Sequence, residues 1–294
     1  MKVRIAVAPG IQPLDRTGMA GLVDGLETLG FDTVWLSDVP MADVLDPIVG
    51  LSFAAGRTTR LKLGANVVPI GRNPMLLAKE LAQLDRISEG RLLLSLVPGL
   101  DQPGERAALG GVPHRGAYLD EVIPLLRAWW AGETVEHRSE LFELPGIAVR
   151  SQPVQQPLEI WLGGSGPKAL ERVGRFADGW LGAGTGPEAA GVARRRIDEF
   201  ATEAGRSIDP EHHGFSIPYA RADPDGATLA ALRRRSPDVE VADLLPVGAD
   251  ALRHLLQRHI DEGLSKFVVR PTGPITSWDE ELRWLADAVL DLQT

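Results

Sequence analysis

The chain has 294 residues, of which 44% are hydrophobic and 24% are charged, a composition typical of a globular protein with a sizeable core. Its formal net charge of -9 argues against a nucleic-acid partner, because binding to phosphates depends mainly on basic groups. The absence of cysteine excludes disulfides, thiolate metal ligands and a cysteine nucleophile. The sequence has no uninterrupted apolar run of about eighteen residues and no signal-peptide core, so we expect a cytoplasmic protein that does not bind membranes.

The first third of the chain alternates short apolar runs with segments of helical hydrophobic spacing. The runs start about thirty residues apart, the size of one strand-helix-strand unit. They predict strands at Val3–Ala8, Thr33–Leu36, Leu61–Val68 and Arg91–Val97. Helices are predicted between them, over Gly18–Leu29, from Pro47 after the capping residue Asp46, and over Met75–Ile87 after Asn73 and Pro74.

The rest of the chain repeats this alternation after an interruption. Asp101–Gly116 is a polar segment too long for a simple connection, which favours a lid, and Val135–Val149 reads as a hairpin or irregular excursion. Strands are predicted at Leu158–Leu162, Gly179–Ala183, Gly214–Ala220 and Lys266–Arg270. Helices are predicted at Tyr118–Trp130, Pro167–Phe176, Pro187–Ala204, Ala249–Glu262 and Asp279–Leu290, with a surface elaboration at Asp223–Val247.

Eight strands that alternate with helices predict one α/β domain over residues 1–294, a (β/α)8 or TIM barrel with insertion loops at its C-terminal face. A doubly wound open sheet is the alternative. That fold would carry a Gly-x-Gly-x-x-Gly turn after its first strand to bind a dinucleotide, and the sequence has none there. The barrel is therefore favoured, and its active site is expected at the C-terminal ends of the strands.

The turn between the fifth predicted strand and its helix is the most informative candidate site. It contains Gly163, Gly164, Ser165 and Gly166, followed by Lys168 in the first helical turn. Glycines allow a ligand to approach the backbone, and the free amides at a helix N-terminus attract anions. The segment therefore suits a phosphate group, although a tight turn with Ser165 as the helix cap explains the same residues equally well.

Polar residues at the ends of other strands are further candidates. Asp38 follows the second strand, where a carboxylate suits a cofactor contact or a proton acceptor, or else caps the next turn. Asn66 lies in an apolar strand, where its amide needs a partner such as a ligand, and nearby Gly64 indicates a bulge or a close backbone approach. The remaining strand-end candidates are Val67, Pro98, Gly99, Asp101 and Thr185.

Two other kinds of site are not indicated. His212 and His213 are sequence neighbours that would point to opposite faces of a strand, while His254 and His259 diverge around a helix. The sequence also lacks a Gly-x-Ser-x-Gly elbow or a Ser-His-Asp arrangement. It therefore predicts neither a metal centre nor a hydrolase triad.

Four segments together resemble the luciferase-like monooxygenase family, especially its actinobacterial coenzyme F420-dependent oxidoreductases. They are Gly25–Trp35, Leu61–Leu81 with Gly71–Pro74, Leu84–Arg91, and Trp161–Gly164 through Ala177–Trp180. The resemblance covers most of the chain. It implies that a deazaflavin ring lies in the barrel mouth, that its phosphate binds at residues 163–166, and that a non-proline cis peptide occurs near Asn66–Val67.

The resemblance also implies a reaction. Reductases of this family often have Asp-His at the end of the second strand and a glutamate after the fourth, where this chain has Asp38–Val39 and Asp101. The implied function is hydride transfer between coenzyme F420 and a small organic substrate held under the Asp101–Gly116 loop. An FMN-dependent monooxygenase and a non-catalytic flavin or small-molecule binding protein are the alternatives, and a homodimer is expected.

Overall fold

The computed structural model describes residues 1–100 and 102–294. Its main sheet consists of eight parallel strands: β1 (Arg4–Val7), β2 (Thr33–Ser37), β3 (Lys62–Val67), β4 (Leu92–Leu96), β7 (Ile160–Gly163), β8 (Gly179–Ala183), β9 (His213–Tyr219) and β10 (Lys266–Pro271). They pair in chain order, and β10 pairs with β1 to close a barrel. The predicted (β/α)8 fold class is confirmed, and the open doubly wound sheet is excluded.

Helices surround this barrel. They are α1 (Arg16–Leu29), α2 (Pro47–Ala55), α3 (Pro74–Ile87), α4 (Pro103–Ala108), α5 (Arg115–Trp130), α6 (Pro167–Phe176), α7 (Pro187–Glu203), α8 (Gly226–Arg235), α9 (Val241–Leu244), α10 (Ala249–Asp261) and α11 (Trp278–Val289). The predicted starts of α2 and α3 are confirmed, since the side chains of Asp46 and Asn73 each accept two hydrogen bonds from first-turn amides. None of the described helices is long and apolar enough to cross a membrane.

The barrel interior is filled by a few large side chains for which glycines make room. Trp35 of β2 and Trp161 of β7 belong to a small buried cluster inside the barrel. A Cβ on Gly64 would overlap the ring of Trp35, and a Cβ on Gly179 would overlap that of Trp161. Because β3 pairs in register with both neighbours, Gly64 marks a close approach of a side chain rather than a bulge.

Three segments differ in detail from their predictions. The loop predicted at Asp101–Gly116 includes the short helix α4. The excursion after α5 is an antiparallel two-stranded sheet of β5 (Thr134–Arg138) and β6 (Glu143–Ala148). The elaboration at Asp223–Val247 contains α8 and α9. It ends beside the barrel, where Val247 forms an isolated parallel β-bridge with Ala220, the residue after β9.

Candidate functional site

A cavity of about 370 Å³ opens at the C-terminal mouth of the barrel, lined by residues of seven barrel strands and of the segment that follows β1. Its wall includes Pro9, Gly10, Ser37, Val39, Asn66, Val97, Leu100, Gly163, Gly164, Ala183, Ser216 and Arg270. A barrel enzyme has its active site at this end, and the volume lies in the range of small-molecule pockets. The mouth cavity is therefore the candidate active site.

A row of polar side chains crosses the inside of the barrel beneath the mouth. Ser37, Asn66, Ser95 and Trp161 are register partners on β2, β3, β4 and β7. Asn66 Nδ2 donates a hydrogen bond to Ser37 Oγ at 2.9 Å, but Asn66 Oδ1, Ser95 Oγ and Trp161 Nε1 have no partner among the described residues. Leaving a buried polar group unpaired costs about 1–3 kcal/mol, so this row is suited to a bound polar group.

Asp38 directly follows β2, but its side chain makes hydrogen bonds beside the mouth cavity and does not line it. Its carboxylate accepts hydrogen bonds from Arg72 Nη2 at 2.9 Å and from the amide of Val68 at 3.2 Å. Arg72 also donates to Asp46 at 2.9 Å. Burial alone would lower the pKa of Arg72, yet the hydrogen bonds to Asp46 and Asp38 raise it above its ordinary value. Asp38 lines a second cavity of about 340 Å³, which shares Val39 with the mouth.

The chain after β4 is held by a buried ion pair that the sequence did not indicate. Glu105 of α4 accepts a hydrogen bond from the amide of Leu100 at 2.6 Å and pairs with Arg115 at 3.3 Å. Arg115 also donates to the carbonyl of Pro98 at 3.0 Å. Gly99 has a φ of +77°, and a Cβ there would overlap Glu105 Oε1. Pro98 and Gly99 thus form a fixed wall behind Leu100, which lines the mouth.

The glycine turn after β7 lies at the edge of the cavity, as predicted. Gly163 and Gly164 line the cavity, and the carbonyl of Gly164 accepts a hydrogen bond from Trp180 Nε1 at 2.9 Å. Gly164 has a φ of +107°, and a Cβ there would lie 2.8 Å from the Cβ of Ala169. Only glycine adopts this conformation without strain, so the turn is both tight and anchored.

The helix that follows this turn starts without a side-chain cap. The N-cap of α6 is Gly166, and no described side chain accepts a hydrogen bond from its first-turn amides. The alternative in which Ser165 caps the helix is wrong, because the helix begins one residue later and Ser165 is exposed. Lys168 is also exposed. Pro167 has no amide hydrogen, and the amides of Ala169 and Leu170 donate to the carbonyl of Gly166, so the amide of Lys168 is the first-turn donor left for an anion.

Two further predicted site residues, Val67 and Thr185, do not line the mouth. Val67 is fully buried, and Thr185 is half-buried in the connection from β8 to α7. Asp101 lies outside the described residues. The expected cis peptide near Asn66–Val67 is wrong: both residues continue the regular parallel ladder, paired with Ser95 and Leu96, and Gln156–Pro157 is the cis bond among the described residues.

Comparison with known proteins identifies the family. A sequence model of the luciferase-like monooxygenases matches residues 4–263. The chain belongs to this family. The family that the resemblance indicated is thereby confirmed.

Curated relatives of this family member include enzymes named for coenzyme F420. The chain is 28% identical to the 5,10-methylenetetrahydromethanopterin reductase of Methanopyrus kandleri, over 66% of this chain and 59% of the relative. It is 29% identical to the F420-dependent glucose-6-phosphate dehydrogenase of Kineococcus radiotolerans, over 53% of this chain and 49% of the relative. The matches thus span about half to three-fifths of these relatives.

A solved structure with FMN has the same fold. The oxygenating constituent of 3,6-diketocamphane monooxygenase of Pseudomonas putida, in complex with FMN, superposes with a TM-score of 0.80 over 100% of this chain and 99% of the other. The sequence identity is 17%, so this likeness concerns the fold.

Proposed function

We propose that the protein transfers a hydride between coenzyme F420 and a small organic substrate bound in the mouth cavity. The observation that carries this proposal is the arrangement of that cavity, with unpartnered polar atoms on its floor and an uncapped helix start at its edge. The F420-dependent name of one relative supports the choice of cofactor.

The residues present fit such a cofactor. Asn66 Oδ1 and Ser95 Oγ are buried acceptors or donors without partners among the described residues, which a polar ring edge would satisfy. Gly163 and Gly164 let a ligand approach the backbone, and the amide of Lys168 at the start of α6 suits its phosphate. In this proposal the outer contacts come from Ser165, Lys168 and Thr185, while Val67, Pro98 and Gly99 support the cavity wall from behind. When bound, the deazaflavin supplies the carbon that accepts or gives the hydride.

The chain itself would orient the reactants and exclude water. Val39, Val97 and Leu100 give the cavity apolar walls, which strengthen polar interactions inside it. Asp38 acts here as a positioning residue, because its amide and carboxylate bond the chain on either side of Val67 at the end of β3. Asp101 is our candidate for proton transfer.

The test is a titration of the purified protein with coenzyme F420, FMN and FAD, followed by reduction and oxygen-uptake assays of each bound form. We expect F420 to bind at least about tenfold more tightly than FMN, a difference of about 1.4 kcal/mol, and no oxygen uptake by the F420 complex. Tight FMN binding with oxygen uptake would instead make the protein a monooxygenase. If a bound cofactor is never reduced or oxidised, the non-catalytic alternative stands.

A further inference from the structure

Exposed apolar side chains gather around the opening of the mouth cavity. Ile11 follows β1, Met41 follows β2 and Leu100 follows β4, and their exposed fractions are 72%, 61% and 42%. Single exposed apolar residues are ordinary on protein surfaces. Ile11 and Leu100 line the same cavity, and Met41 follows β2, the strand next to β1, so the three are not scattered single residues. We call these three residues the apolar rim.

The apolar rim is continuous with the cavity. Ile11 and Leu100 both line it, together with the partly buried Leu14 and Leu45. Met41 reaches α4, where its methyl carbon lies 4.0 Å from the position of a Cβ on Gly104. A molecule that fills the cavity and projects from it would therefore contact the rim.

The lining of the cavity carries little charge. Among the described residues that form it, Arg270 is the one with a charged side chain, and Gln12, Ser37, Asn66, Ser95 and Ser216 are neutral polar groups. The carboxylate of Asp38 is paired with Arg72 and lines the neighbouring cavity. A desolvated phosphate or carboxylate normally requires several charged or well-directed donors, so the lining away from the glycine turn proposed for the cofactor phosphate favours an uncharged ligand.

We propose that the substrate is a neutral, predominantly apolar organic molecule, and that the apolar rim holds the part of it that projects from the cavity. The inference rests on the proposed function, because it concerns the substrate of the same site. The concave shape of the site, with its walls on eight strand ends, matches a small molecule rather than a flat protein surface.

The experiment measures binding of Nile red, a neutral apolar dye, by fluorescence in the absence of cofactor. The variant is Ile11→Asn/Met41→Asn, which leaves unchanged the walls assigned to the cofactor site, and the matched control is Val192→Asn, which changes an apolar residue of α7 that is 59% exposed. All three positions are exposed, so circular dichroism should show unchanged folding. We expect the dissociation constant of the dye to rise about tenfold in the double variant and to stay unchanged in the control.

A competition experiment then tests whether the charge of a ligand, at constant apolar chain length, affects its binding to the cavity. Octanol and octanoate have the same chain length, but octanoate carries a carboxylate. We expect octanol to displace the dye at a concentration at least about tenfold lower than octanoate, because the cavity lining offers a carboxylate few donors. Equal displacement by the two compounds, or unchanged dye binding by the double variant, would overturn the inference.

The remaining outcomes distinguish this inference from the proposed function. Coenzyme F420 should bind the double variant and the parent equally. If F420 binding weakens with the rim substitutions, the rim serves the cofactor and the inference fails while the proposed function stands. If neither protein binds F420 and the dye results are as expected, the proposed function fails and the neutral apolar ligand stands. A fall in solution mass caused by the double variant would show that the rim is an interface between copies, which also overturns the inference.

Discussion

At the scale of single residues, Asp38 connects two strand ends without lining the cavity between them. Its amide donates to the carbonyl of Asn66 at 2.8 Å, and its carboxylate accepts from the amide of Val68 and from Arg72. The sequence placed Asp38 correctly at the end of β2, but the direction of its side chain depends on Arg72, which comes 34 residues later in the chain. A carboxylate at a strand end can therefore influence a binding site without lining it, through hydrogen bonds to the backbone of a neighbouring strand.

Asp38→Asn should lower turnover more than it lowers cofactor affinity. The amide keeps the size of the carboxylate but loses the charge that pairs with Arg72, which Asp46 still partners. We expect the free energy of unfolding to fall by about 1.5–3 kcal/mol, the usual contribution of a hydrogen bond to a charged group. Urea unfolding, F420 titration and steady-state rates measure the three quantities. The exposed Asp43→Asn is the control, and unchanged turnover in Asp38→Asn would mean that the site does not depend on this carboxylate.

At the scale of elements, local sequence pattern predicted much of the barrel. The bounds of β8 and α6 are those predicted, because each has a clear apolar period and a Gly or Pro signal at its start. The helix α4 was missed: it has six residues, too few for a period, and its position depends on the pairing of Glu105 with Arg115.

The candidate site was predictable only in part. Asn66 was recognised because an amide is unusual in an apolar strand. Ser95 and Trp161 looked like ordinary strand residues, and they join Asn66 only because β3, β4 and β7 pair in a particular register. Register between distant strands is set by the packing of the whole barrel, so the sequence pattern of one strand does not contain it.

The start of α6 offers a test of the phosphate site that leaves the fold intact. Gly164 is a poor position for it, because its positive φ would strain any substitution. Gly166 has a φ of -74°, and a Cβ there would meet no atom within 4 Å. Both Asp and Asn are favourable N-cap residues, so either substitution should preserve helix stability.

Gly166→Asp should weaken cofactor binding at least about tenfold, since a carboxylate at the N-cap competes for the amide of Lys168 and repels a phosphate. Gly166→Asn caps the same amide without charge, so it should weaken binding much less and serves as the matched control. Calorimetric titration of both variants with the preferred cofactor gives the two affinities. If the two variants bind equally well, charge at this turn is irrelevant and the phosphate binds elsewhere.

We expect the free energy of unfolding to depend on pH through His259 of α10. Burial lowers the pKa of His259 to about 4, and the ring stacks on Phe215 with centroids 4.3 Å apart. The unfolded chain, with a pKa near 6.5, takes up the proton first as the pH falls. The neutral histidine therefore contributes full stability above pH 6.5, and up to about 3 kcal/mol is lost between pH 6.5 and 4.

Urea unfolding at pH 7, 5.5 and 4.5 would measure this effect. His259→Leu removes the titration, so its free energy of unfolding should fall less over this range than that of the parent. His254→Leu, which changes an exposed histidine of the same helix, should retain the slope of the parent. Parallel slopes for all three proteins would show that His259 does not cause the acid dependence.

At the scale of the whole molecule, the starts of α2 and α3 form a second exposed apolar region. Val49 and Leu76 are each the third residue of their helix, with exposed fractions of 63% and 48%. The two helices contact each other, and Arg72 before α3 bonds Asp46 before α2 at 2.9 Å. Adjacent exposed apolar side chains on rigid helices are typical of a subunit interface.

We therefore expect the protein to be a homodimer that pairs through α2 and α3. Light scattering at micromolar concentration should give about twice the chain mass of 31.7 kDa. Val49→Asp/Leu76→Asp places four carboxylates in a two-fold interface, where like charges repel and lose hydration, so this variant should elute as a monomer. Val192→Asp on α7 is the control and should remain dimeric. A parent protein of monomer mass would contradict the prediction outright, and a dimeric double variant would place the interface on another face.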